Sequence, residues 1–190
     1  MRLVVGLGNP TPRYQFTRHN LGFLVLEHFL AQRRKQATKR IENALCCQLE
    51  VGQDQCWFIK PQLYMNRSGE VVAPFAQMHG ISPHETLVVH DEVDLEPGRI
   101  KLKFDGGAGG HNGLESIFVQ WQHRDFFRLR IGVGKDLGRD TTDHLLEALH
   151  EKDLHPLVIG GAKALETVLT LGPQQAMNII NSPKKNLPID

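Results

Sequence analysis

The stretch Leu3-Val4-Val5-Gly6-Leu7-Gly8-Asn9-Pro10 decides the fold. Leu3 to Leu7 is an unbroken apolar run of strand length, with two adjacent β-branched residues. Such a run reads as a strand covered on both faces, and Gly8-Asn9-Pro10 ends it in a turn. A polar loop follows to Asn20, placed to cap a helix. That helix carries Leu21, Leu24, Val25 and Phe29 on one face. A buried strand delivered into an amphipathic helix is the first unit of an alternating α/β chain.

The alternation continues outward. After a basic run (Arg33, Arg34, Lys35, Lys39, Arg40) expected to be exposed, Leu45–Val51 and Gln55–Ile59 read as a hairpin around Gly52-Gln53-Asp54. Ser68-Gly69-Glu70 opens a helix to about Met78, in which Pro74 predicts a kink. Thr86–Val89 is a strand ending at His90-Asp91, and Arg99–Phe104 alternates like a half-buried strand. Beyond a glycine-rich loop, Gly106 to Gly113, come a helix over Leu114–Trp121 and a strand over Phe127–Val133. Helices are expected over Thr142–His150, about Leu157–Leu171 and Gln174–Ile180, with residues 182–190 as a loosely held tail. There is no repeat and no linker. The prediction is one α/β domain over residues 1–190, three layers deep, with a mixed, mostly parallel twisted sheet flanked by helices.

Bulk properties narrow the function. With Lys+Arg 22 against Asp+Glu 21 the formal charge is +1, so a polyanion would be held by a local patch rather than by overall charge. The three cysteines, Cys46, Cys47 and Cys56, have no zinc-site spacing and suggest a reducing, intracellular setting. The opening apolar run is too short for a signal-peptide core or a membrane span, which points to the cytoplasm.

In open α/β sheets, functional residues gather in loops at the carboxyl ends of strands. Here those loops are rich in Asn, His and Gly. One holds Asn9, Tyr14, Arg18, His19 and Asn20, another Tyr64, Met65, Asn66 and Ser68; a third begins at Asp91, and a fourth holds His111 and Asn112. An imidazole oriented by a carboxylate is a general-base pair, and amide N–H groups stabilise a developing oxyanion. No nucleophile motif of the Gly-x-Ser-x-Gly kind is present. Water is therefore the expected attacker, on an activated acyl group such as an ester. The acidic residues Asp91, Glu92, Asp94 and Glu96 lack calcium-loop spacing, and neither His90 nor His111 completes a zinc motif with them. Gly6-Leu7-Gly8 hints at a dinucleotide fingerprint, but Thr11 stands where the third glycine belongs and Pro10 and Pro12 interrupt the helix start.

Five blocks carry a resemblance: Val5-Gly6-Leu7-Gly8-Asn9-Pro10 with Tyr14 and Thr17-Arg18-His19-Asn20; Lys60-Pro61 with Tyr64-Met65-Asn66 and Ser68-Gly69; His90-Asp91-Glu92 with Asp94-Leu95; Gly109-Gly110-His111-Asn112-Gly113; and Arg128-Leu129-Arg130-Ile131-Gly132. In this order, over Val5 to Gly134, about two thirds of the chain, they resemble the bacterial-type peptidyl-tRNA hydrolases. The resemblance implies a monomeric, metal- and cofactor-independent esterase with no obligate protein partner. It would act on peptidyl-tRNA, holding the acceptor end and the 5′ phosphate. It assigns His19 as the base, Asp91 as its carboxylate partner and Asn9 to telling blocked from free aminoacyl groups. Asn66 and Asn112 become substrate-positioning amides, Tyr14 and Tyr64 contacts near the tRNA end, and Met65 and His111 lining residues. Lys103 and Arg130 resemble the grip on the 5′ phosphate. Thr11, Leu63 and Asp105 depart from the family pattern, and Asp105 would set a negative charge beside that grip. Past Gly134 the match fades, and Thr142–His150 takes the place of a lid helix. A non-catalytic RNA binder on the same fold and a small-molecule esterase are the rival readings.

Overall fold

The computed structural model describes residues 1–33, 37–52 and 54–183. Arg34 and Lys35 of the basic run, Gln53 of the hairpin turn and residues 184–190 of the expected tail lie outside these. The described strands are β1 Leu3–Gly6, β2 Lys39–Ile41, β3 Ala44–Val51, β4 Asp54–Pro61, β5 Thr86–Glu92, β6 Ile100–Phe104 and β7 Phe127–Gly132. The helices are α1 Leu21–Ala31, α2 Gly69–Met78, α3 Asn112–Trp121, α4 Thr141–Leu146, α5 Glu151–Leu171 and α6 Pro173–Ile180.

The strands form one mixed sheet in the order β2-β3-β4-β1-β5-β7-β6. Its centre, β4-β1-β5-β7, is parallel, whereas β2, β3 and β6 are attached by antiparallel pairing. Side-chain alternation divides β1 between two cores. Val4 faces α1, α5 and α6 with Leu87, Val89, Leu129 and Ile131. Leu3 and Val5 face α2 and α3 with Val88, Val72, Ile117 and Phe126. The three expected layers follow, and every residue of β5 is buried.

The chain leaves β1 toward β4 on one side and later returns to β5 on the other. That is a topological switch point, and a crevice opens at the carboxyl ends there. Glycine makes the joint tight. The Leu7 N–H donates to Val89 O at 3.0 Å, and the Phe23 N–H donates to Leu7 O at 3.1 Å. A Cβ on Gly22 would lie inside contact distance of Val89 O and of the Leu7 backbone, and one on Gly6 would strike Gly22 O. Gly8 is closed by the ring of Phe23. The Gly6-x-Gly8 pair thus serves packing between strand and helix, not a dinucleotide. Gly22→Ala is expected to lower stability by about 1–3 kcal/mol or more, seen as a reduced urea midpoint at unchanged slope. An unchanged midpoint would show that this joint is loose.

Several boundaries differ from expectation. β2 falls within the basic run, where no apolar alternation announces it. It is an edge strand whose Lys39 and Arg40 face solvent, a common guard against edge pairing. β5 extends through His90 and Asp91 to Glu92, because β7 pairs with it to the end. α2 continues through Pro74, which sits on its solvent face, where the lost hydrogen bond leaves a carbonyl to water. The expected helix over Thr142–His150 stops at Leu146: Glu147 is extended, and Ala148 bridges to Thr17. α5 then begins at Glu151, earlier than Leu157, and takes Pro156 into its second turn. Asn20 does not cap α1 through its side chain; that amide has another task.

Candidate active site

Asn20 Oδ1 accepts the backbone N–H of Asn9 at 2.8 Å, and its Nδ2 donates to Asn9 O at 3.0 Å. This two-point clamp fixes the turn after β1 against the start of α1. Asn9 Oδ1 in turn accepts the Met65 N–H at 2.9 Å. Oxygen and nitrogen of that amide are thereby assigned, leaving Nδ2 as the donor available to a ligand.

His19 lies in a single 3-10 turn, Arg18–Asn20, just before α1, and is buried. Its Nδ1 is 3.0 Å and 3.1 Å from the two carboxylate oxygens of Asp91. Nδ1 therefore carries the hydrogen, and Nε2 keeps its lone pair. His19 lines the crevice, whereas Asp91 at the end of β5 is 2% exposed and stands behind it. Burial opposes ionisation of Asp91, but the charges and hydrogen bonds of His19 and His111 outweigh it and hold the carboxyl well below its usual range. Burial likewise disfavours the His19 imidazolium, yet the Asp91 charge and hydrogen bond prevail and raise its pKa above 6.5.

The carboxylate is shared. His111 Nε2 is 3.2 Å from Asp91 Oδ1, while His111 Nδ1 accepts the Gly113 N–H at 3.1 Å as the N-cap of α3. An imidazole that accepts at Nδ1 must carry its hydrogen on Nε2, so His111 donates to Asp91. His19, Asp91 and His111 also bring three ligand-type atoms within 4.8 Å. Metal binding at His111 Nε2 would require a lone pair there and a hydrogen at Nδ1, facing the Gly113 N–H. The donor set suits a hydrogen-bonded network better than a cation.

Sequence reasoning passed over His90 as a site residue. Its Nδ1 donates to Asp91 O at 2.6 Å, its ring stands 4.9 Å from that of His111, and burial holds its pKa well below 6.5. A neutral imidazole fixing the Asp91 backbone from the far face is a supporting element. Only the His90-Asp91 dipeptide hinted at it.

His19 and His111 line a cleft of about 430 Å³ together with Asn9, Tyr14, Tyr64, Met65, Asn66 and Asn112. Eight of the eleven anticipated site residues thus reach one cavity or its wall, with Asp91 immediately behind. Tyr64 is 54% exposed at the rim. α4 closes one side with Thr141, Thr142, Leu145 and Leu146, the last three within the segment expected as a lid helix though none was singled out as a site residue. It is tied to the base-bearing loop: Arg18 Nη1 donates to His144 O at 2.9 Å and to Glu147 Oε2 at 2.8 Å, and the Leu149 N–H donates to Phe16 O.

Lys103 and Arg130 do not line this cleft. They share a face of β6 and β7, but the residue directly opposite Lys103 is Arg128, and Arg130 faces Lys101. Arg130 Nε and Nη2 both donate to Glu92 Oε2 at 2.9 Å, so its charge is already matched. The charge of Asp105 falls on the Arg128 guanidinium beneath it. Thr11 accepts the Tyr14 N–H through its carbonyl, so the turn closes without glycine. Leu63 packs against the α2–α3 core.

A family model described as peptidyl-tRNA hydrolase matches residues 3–188, so the likeness runs well past Gly134. A peptidyl-tRNA hydrolase of Moorella thermoacetica is 41% identical over 184 residues, covering 94% of this chain and 97% of that one. One from Nitrosomonas europaea is 49% identical over 135 residues, 70% of this chain and 69% of that one. The crystal structure of peptidyl-tRNA hydrolase from Acinetobacter baumannii superposes with a TM-score of 0.87 at 35% identity, covering 96% and 95% of the two chains.

Proposed function

This chain belongs to the peptidyl-tRNA hydrolase family, and from that premise we propose that it cleaves the ester joining a peptide, or an N-blocked aminoacyl group, to the terminal ribose of tRNA. The observation that carries the reading is the His19–Asp91 pair at the floor of a cleft edged by Asn9, Asn66 and Asn112. His19 Nε2 takes a proton from water as its oxygen attacks the ester carbonyl carbon. Asp91 stabilises the imidazolium that forms. Asn side-chain N–H groups at the cleft mouth receive the oxyanion. On collapse the ribose oxygen leaves with the proton from His19 Nε2–H, which restores the base. No described helix is long and apolar enough to cross a membrane. Because one chain supplies the whole set, we read the enzyme as a monomer, acting in the cytoplasm where translation leaves its substrate.

Tyr64, open at the rim, is suited to stacking on an unpaired base of the acceptor end, and Tyr14 lines the same cleft. The more distant phosphate falls to Lys103, exposed on the β6–β7 face, where Arg130 is paired with Glu92. The deciding assay is release of N-acyl-amino acid from labelled N-acyl-aminoacyl-tRNA; a wild-type protein with no turnover sinks the proposal. If full tRNA and a simple nucleoside ester were cleaved at comparable rates, a general esterase would be the better description.

Asn9 sets the discrimination. Its free Nδ2 donates, which suits a carbonyl oxygen of the blocked amino group and offers nothing to an α-ammonium. Asn9→Asp keeps an acceptor for the Met65 N–H but presents a carboxylate to the ligand. The expected result is a fall in kcat/KM of about tenfold to a hundredfold on blocked substrate. The preference over free aminoacyl-tRNA should narrow at the same time. An unchanged ratio between the two substrates would remove Asn9 from this role.

A further inference from the structure

The turn that carries His19 is held by different elements on its two sides. On its carboxyl side, Asn20 is clamped to Asn9 and the chain runs directly into α1. On its amino side, Phe16, Thr17 and Arg18 reach across to the far end of α4. Phe16 O accepts the Leu149 N–H at 2.8 Å, and Thr17 bridges to Ala148. Arg18 Nη1 donates to His144 O at 2.9 Å and to Glu147 Oε2 at 2.8 Å. The base is thus steadied from one side by the core. From the other it is steadied by the segment that walls the cleft with Leu145 and Leu146.

Glu147 is the joint of that segment. It ends α4 in an extended conformation, and its two carboxylate oxygens serve different partners. Oε2 takes Arg18, while Oε1 takes Arg139 Nη1 at 3.2 Å, from the strap between β7 and α4. One carboxylate therefore joins the base turn, the end of α4 and the strap that leads into it. Hydrogen bonds from Arg18 and Arg139 hold its carboxyl below the usual carboxylate range, so the clasp is charged at neutral pH. Arg18 also sets a cation on a last-turn carbonyl of α4, where a helix leaves its acceptors unpaired. Exposed ion pairs add little stability. The side chains of Glu147 and Arg139 are 35% and 44% exposed, so this clasp is poorly placed to hold the fold together. What it can do is fix geometry, because a catalytic group displaced by about 1 Å can lose on the order of 10²-fold in rate.

We propose that Glu147 is a positioning residue for the base: by clasping Arg18 and Arg139 it fixes the His19 turn against the cleft wall, so that wall and base move as one unit. This rests on the hydrolase reading above.

The test compares Glu147→Ala, Arg18→Met and Arg18→Lys with the wild type on two substrates, peptidyl-tRNA and N-acyl-aminoacyl-adenosine. Loss of the clasp should lower kcat about tenfold on both, with KM nearly held, because the same base serves each. The urea midpoint should barely move. Arg18→Lys should keep most of the rate, since one ammonium can meet the two acceptors that Nη1 meets alone. NMR of the His19 ring gives a reading apart from turnover. Its Nδ1–H, bonded to Asp91, should exchange with water faster in Glu147→Ala and Arg18→Met than in the wild type. An unchanged exchange rate overturns the proposal. So does a rise in KM for peptidyl-tRNA alone, which would make Glu147 a tRNA contact. Should a variant not fold, the wild type decides. Rising salt screens the exposed arm of the clasp, so kcat on the adenosine ester, which carries no phosphate, must fall, and a flat salt response sinks the idea. A wild type that cleaves neither substrate defeats the hydrolase reading instead, and the His19 exchange rates still report on the clasp.

Discussion

His19→Ala is expected to lower kcat for peptidyl-tRNA by about 10²–10⁴-fold, the range over which a positioned base contributes, while the protein stays folded and still binds tRNA. His19 offers the cleft an imidazole whose tautomer is fixed by Asp91 and whose Nε2 lone pair is free. Alanine removes the proton acceptor without touching the Asn9–Asn20 clamp or the Arg18 tie to α4. A loss in kcat with KM nearly unchanged is therefore the signature, separating lost chemistry from lost binding. The wild-type pH profile carries the same information. The base must be neutral to act, and Asp91 raises its pKa above 6.5. kcat/KM should fall as pH drops through that raised value and level off above it. Asp91, held ionised far below its usual range, adds no second step there. If His19→Ala hydrolyses at the wild-type rate, another group is the base.

The fold was legible where burial dictates pattern. Leu3–Leu7 announced a central strand because both its faces are covered, and Thr86–Val89 did the same for its neighbour. Lys39–Ile41 stayed silent because an edge strand is held by backbone pairing and needs no apolar alternation. The split at Glu147 was equally hidden, since it depends on Thr17 and Arg18, which are remote in sequence. Within the site, residue types suggested a base, a carboxylate and amides. Which amide atom faces the ligand, and which imidazole nitrogen holds the hydrogen, came only from Met65 and Gly113 backbone N–H groups that no motif encodes. The setting of the four cations on β6 and β7 was the least legible part. Four cations alternate on two strands, and only the packing reveals that Arg130 is matched by Glu92 while Arg128 lies buried beneath a loop.

Asp91→Asn should be nearly as damaging as loss of the base, and the reason lies with His111. Asp91 Oδ1 receives the His111 Nε2–H, and His111 cannot change tautomer while Gly113 N–H donates to its Nδ1. An asparagine must therefore place its amide oxygen at the Oδ1 position and its NH₂ at the Oδ2 position, 3.1 Å from His19 Nδ1. There the amide donor competes for Nδ1 with the amide oxygen, which stands at the Oδ1 position 3.0 Å away, and wherever it donates to Nδ1 it drives the His19 hydrogen onto Nε2, the atom that has to accept a proton. Lost carboxylate charge weakens the base further. kcat should fall at least about tenfold to a hundredfold from the weaker base alone, and toward ~10⁴-fold where the wrong tautomer dominates. With the raising influence of Asp91 gone and burial remaining, the acidic limb of any residual activity should move to lower pH. Adding His111→Ala to Asp91→Asn frees the amide to rotate its oxygen toward His19, so the double variant should recover part of the rate lost by the single one. A double variant slower than Asp91→Asn would leave charge alone as the reason, and full activity in Asp91→Asn itself would reduce the carboxylate to a structural residue.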